Sequence, residues 1–130
     1  MKIRVFLVLC AIALTPVALS YGAAPSASLD ALFGISIDGT NLTHIMRALM
    51  GLYLGMIVIW LWGAFSVPMA GPALVCCAVF MFGLAAGRAL SFVLDGMPHW
   101  LLVVYALVEV VLGTIAVLLY RAHRSTVPLN

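Results

Sequence analysis

WLLVVYALVEVVLGTIAVLLY, residues 100–120, decides the fold. At about 1.5 Å of helical rise per residue, this run matches the ~30 Å hydrocarbon core of a bilayer. A single carboxylate, Glu109, stands near its middle. Two further runs of the same kind precede it, residues 45–65 and 72–94, and the second carries one charge at depth, Arg88. A fourth apolar stretch, residues 5–21, lies near the N-terminus and includes Pro16.

The whole chain agrees with this reading. Of its 130 residues 66% are hydrophobic and 8% charged, and mean hydropathy is +1.27. Soluble domains carry about 25% charged residues. Surface so apolar calls for lipid, and the lipid bilayer is the partner that the composition implies. The net charge of +2 forms no basic stripe, so nucleic acid is excluded as a partner.

The connections carry turn and cap chemistry. Ser66–Gly71 reads as a short turn, with Pro72 at the first position of the next helix, where its missing N–H costs nothing. Residues 95–98, Asp-Gly-Met-Pro, form a second tight connection. Asn41 and Thr43 are candidate N-caps of the run at 45–65. The sizeable outer loop, residues 22–44, contains a short helix that Ser28 would cap and Gly34 would close. Its Leu29, Leu32 and Phe33 form a stripe suited to a membrane surface or the top of a bundle.

The N-terminal stretch has two readings. Lys2 and Arg4 before Val5–Leu14, followed by Ala18-Leu-Ser20, resemble a signal peptide with a cleavage site. The apolar run outlasts a usual signal core, which favours a retained helix and four spans. Lys2, Arg4, Arg121 and Arg124 flank the ends, which places both termini in the cytoplasm when four helices span. Tyr21 and Trp100 suit the outer aromatic belt; Trp60, Trp62 and Tyr120 suit the inner one. Tyr53 and Tyr105 lie deeper, where a hydroxyl needs a partner. The chain is therefore expected to be all-α, an antiparallel four-helix transmembrane bundle forming a single membrane domain.

Ionisable groups at bilayer depth face a bundle interior, pair with one another and mark a function or a structural lock. Counted from the outer helix ends, Arg88 lies about 10 Å deep, Glu109 about 14 Å and Arg47 only a few ångströms. Arg88 is expected to reach Glu109, and Arg47 to meet Asp95 or bridge the pairs. Ser91 and Tyr105 share the stripes that carry these charges. The candidate polar cluster is thus Arg47, Arg88, Ser91, Asp95, Tyr105 and Glu109. Four-residue spacing puts Gly51 with Gly55 and Gly83 with Gly87, and Gly113 stands one turn from Glu109; all five are candidates for close helix packing.

Other chemistry is scarce. Cys10, Cys76 and Cys77 all fall in apolar runs, an odd count without a loop cysteine, and read as small core hydrophobes. His44, His99 and Asp95 fall on one side of the membrane, a weak metal pattern, and metal ligands are assigned to none of them. No nucleophile with its base, phosphate loop or metal motif is present, so no catalytic residue and no cofactor is assigned.

Residues 44–55 (HIMRALMGLYLG), residues 87–98 (GRALSFVLDGMP) and Glu109 together resemble the bacterial membrane proteins grouped as domain of unknown function 4345. The likeness extends from the first apolar run through the last. It implies four transmembrane helices with the first retained, in a bacterial inner membrane, and no established activity. A remoter likeness to DoxX-like four-helix proteins is one of fold alone. The sequence therefore points to a non-catalytic accessory or small-ligand-binding membrane protein whose polar cluster locks the helices or binds a small polar group, its partner being another membrane protein or a second copy. The alternative is a subunit of a membrane oxidoreductase or transporter that handles quinone or protons.

Overall fold

A computed structural model describes residues 1–126. It contains five helices in chain order: α1 (Lys2–Gly22), α2 (Pro25–Phe33), α3 (Thr40–Phe65), α4 (Val67–Leu94) and α5 (Trp100–Thr126). Four of them, α1, α3, α4 and α5, are long and apolar enough to cross a membrane. No strand occurs among the described residues. In hydrocarbon a helix satisfies its own backbone N–H and C=O groups, which is why these runs take that form.

Several element starts differ from the sequence reading. α4 begins at Val67, with Pro68 in the first turn and Pro72 inside the helix. Two prolines four residues apart both suit a first turn; the earlier one takes it, and the later one removes only the hydrogen bond to Pro68 O. The turn read at residues 66–71 shrinks to Ser66 alone, extended at φ −128° and ψ 116°. α3 starts at Thr40, so Asn41 and Thr43 lie inside the helix rather than capping it. Thr43 instead donates its hydroxyl back to Gly39 O at 3.2 Å. α2 likewise starts before Ser28, with Pro25 in its first turn. Its end is set by Gly34, left-handed at φ +66°, where a side chain would clash with the backbone.

The core runs through the middle of the molecule. Leu7, Cys10, Leu14 and Ala18 of α1 pack with Tyr53, Ile57 and Trp60 of α3 and with Leu74, Cys77 and Met81 of α4. The most extensive interfaces are α1 with α3, α4 with α5, and α3 with α4; no comparable interface joins α1 to α5. Gly63 of α3 lies directly against Ala73 of α4, with Met69 O 3.0 Å from where a methyl group would sit. Gly22 at the other end of α1 rests on Met50 and the backbone of Arg47. Outside this core, α2 lays Leu29 against the bundle, and Ser26 donates to Ile37 O at 3.2 Å to close the loop.

Trp60 corrects the aromatic-belt reading. It is fully buried at 0% exposure and meets the Phe80 ring edge-to-face at 5.6 Å. Trp62, two residues on, is exposed as a belt residue should be.

Candidate functional site

Arg88 of α4 and Glu109 of α5 form an ion pair. The interface between these two helices is the most extensive that either of them makes. Gly113, one turn beyond Glu109, allows that approach: a methyl there would meet the Phe82 ring of α4 at 3.1 Å. Glu109 is 7% exposed, the one buried charged residue among those described, and the Arg88 side chain is 18% exposed.

The bond geometry is specific. Arg88 Nε donates to both carboxylate oxygens, at 3.0 Å to Oε1 and 3.0 Å to Oε2. The two-pronged alternative, with Nε and Nη each meeting one oxygen, is not used. Of the guanidinium's five N–H donors, the one that donates to Glu109 is Nε–H. The Tyr105 ring sits beside the guanidinium, 5.7 Å from centroid to Cζ, and Tyr21 lies close enough to interact with it. Tyr21 in turn packs edge-to-face on Tyr53 at 5.5 Å.

The pair lies in the wall of a cavity of about 220 Å³, bounded by α1, α3, α4 and α5. Cys10 and Leu14 of α1, Tyr53 of α3, and Leu84 of α4 supply much of the rest of its lining. Val104 and Val108 of α5 also line it while remaining 41% and 46% exposed, as does exposed Ala13 of α1. The cavity therefore opens sideways, where α1 and α5 fail to meet. A second cavity of about 370 Å³ lies under α2, between Leu29, Phe33, Ile37 and Tyr21, and Arg88 lines it as well. Arg88 thus stands between the cavity under α2 and the cleft beside Glu109.

Not every residue read from the sequence joins this site. Arg47 is exposed and makes no ion pair among the described residues; its backbone instead packs on Gly22. Asp95 is exposed and accepts a hydrogen bond from Ser91 at 2.8 Å, so neither reaches Arg88 or Glu109. The expected Arg47–Asp95 pair does not form; both groups are exposed, and an exposed ion pair gains little. Gly51, Gly55, Gly83 and Gly87 are exposed, and a methyl group at any of them would meet nothing within 4 Å. They do not hold helices of this chain together. His99 caps α5, accepting from Leu101 N at 3.4 Å, and faces Phe33 edge-on at 6.0 Å. His44, His99 and Asp95 do not gather into a metal-binding group.

Two features escaped the sequence reading. Tyr21 belongs to the polar site rather than to the lipid interface alone; its place at the end of a span suits either, so the sequence holds no signal for it. Cys10 and Cys77 interact across α1 and α4, a meeting of distant helices that no spacing rule encodes.

A family model described as Domain of unknown function (DUF4345) matches residues 3–120. The chain belongs to that family. The match spans all four long helices and both members of the ion pair, so the cleft is a feature of the DUF4345 region itself and not of an appended segment. No curated protein and no solved structure matches the chain.

Proposed function

We propose that this protein is an antiparallel four-helix bundle of a bacterial inner membrane that holds a small molecule at Arg88 and Glu109. Antiparallel packing is supported by paired contacts that run in opposite directions. Gly63 meets Ala73 while Tyr53 meets Phe80, and Gly113 meets Phe82 while Arg88 meets Glu109. Four spans then return the chain to its starting side. Lys2, Arg4, Arg121 and Arg124 at the two ends make that side the cytoplasm.

The role is a binding one, accessory rather than catalytic. One observation carries it: Arg88 gives Glu109 a single shared N–H while lining a cleft whose other walls are largely apolar. A pair built only to lock two helices would use the stronger two-pronged geometry. Glu109 takes the Nε–H alone, so an acceptor in the cleft has further N–H groups of the guanidinium to meet.

The test is thermal unfolding of the delipidated protein in detergent, with and without a total membrane-lipid extract. A ligand specific for the folded state raises the melting temperature by mass action. The extract is expected to stabilise the wild type and to leave the Arg88→Met/Glu109→Leu variant unmoved. Equal stabilisation of both proteins would rule out binding at this pair.

A further inference from the structure

We infer that the ligand is a neutral, single-headed amphiphile, which enters the cleft from the bilayer between α1 and α5 and lays an ester or ketone oxygen on Arg88. The inference rests on the binding role proposed above and adds the class of molecule and its route.

Charge decides the head. Arg88 and Glu109 already balance each other, and Arg47 lies elsewhere, exposed. An anionic head would leave a net negative charge in a low-dielectric site, and a cationic head a positive one; either is costly without a further partner. A neutral carbonyl oxygen adds no charge and accepts from the further N–H groups of the guanidinium. A hydroxyl on the same head can donate to Glu109, whose two oxygens accept one shared N–H and have lone pairs to spare.

Size and access decide the rest. A cavity of about 220 Å³ is smaller than the ~300–1,000 Å³ that encloses a drug-sized ligand. It takes a head and the first part of a chain, not a whole lipid. The remainder has an exit, because Ala13 on α1 and Val104 and Val108 on α5 line the cleft and are themselves exposed.

The experiment measures equilibrium binding of labelled monooleoylglycerol, oleate and hexadecane to the full chain in detergent. Monooleoylglycerol is expected to bind at least about tenfold more tightly than oleate, whose charge has no counter-ion in the cleft. Hexadecane, without a head, is expected to bind at least about fivefold more weakly, the worth of a lost hydrogen bond. Ala13→Trp and Val108→Trp fill the mouth from opposite helices without touching the pair; each is expected to weaken monooleoylglycerol at least about tenfold while leaving the melting temperature in place. Competition between monooleoylglycerol and farnesylacetone then shows whether an acyl ester or an isoprenoid ketone is preferred, and either preference supports the neutral head.

Oleate binding as tightly as monooleoylglycerol, with both lost in Arg88→Met/Glu109→Leu, would overturn the neutral head and leave the binding role standing. Hexadecane binding as tightly as monooleoylglycerol overturns the polar contact. Binding indifferent to both tryptophan variants overturns entry between α1 and α5. If no probe depends on Arg88 and Glu109, this inference and the binding role fail together.

Discussion

Arg88 offers Glu109 its Nε–H and withholds its fork. The consequence for stability is asymmetric. Removing one partner strands a charge in hydrocarbon, whereas removing both leaves a dry apolar contact. Glu109→Leu and Arg88→Met are each expected to destabilise the folded protein by about 3–5 kcal/mol, and the double variant to recover most of that loss. Unfolding in a graded detergent series measures all three; purely additive losses would show that the two side chains act independently. The pair itself was legible in the sequence, because one deep acid and one deep base leave little choice of partner. Arg47 was misread since four-residue spacing identifies a helix face but not what lies opposite it. Tyr21 was misread because a tyrosine at a span's end has the same depth whether it faces lipid or a neighbouring arginine.

At the scale of the element, the glycines divide by what surrounds them. Gly63 is closed against Ala73 and Met69 O, and a methyl group added at Gly22 would come to 2.5 Å from Met50. Gly83 and Gly87, by contrast, have open space. Gly63→Ala is expected to destabilise the bundle through backbone displacement. Gly83→Ala and Gly87→Ala are expected to be neutral, or stabilising by up to about 1 kcal/mol through helix propensity. The same detergent unfolding series ranks them, and a destabilising Gly87→Ala would mean that its face is occupied. The helices were legible as elements because each is a long apolar run, but their inner faces were not. A helix apolar all round has no polar side to mark lipid against core, so Gly51 and Gly55 read like packing residues although Tyr53, Ile57 and Trp60 form the buried face of α3. Helix starts failed for a related reason. A proline or a Ser/Thr marks a permitted first turn, and where two stand close together, as Pro68 and Pro72 do, the spacing leaves the choice open.

The whole molecule is an open arrangement: α1 on α3, α3 on α4, and α4 on α5, with the ends of that series apart. The sequence shows how many runs are long and apolar enough to span and nothing of this gap, since non-adjacent helices meet or miss through packing that no local pattern records. The proposed topology, four spans with cytoplasmic ends, predicts that Asp38→Cys, between α2 and α3, reacts with a membrane-impermeant maleimide in intact cells, and that Ser125→Cys reacts only after lysis. The reverse pattern would invert the topology. The gap between α1 and α5 gives the cleft its mouth, and the Arg88–Glu109 pair gives it a polar wall. The most direct test of that account is the intact mass of the protein released gently from detergent micelles. The wild type is expected to carry one bound amphiphile per chain, and the Arg88→Met/Glu109→Leu variant, equally folded, to carry none. A bare wild-type chain under the gentlest release, or the same adduct on both proteins, would contradict it.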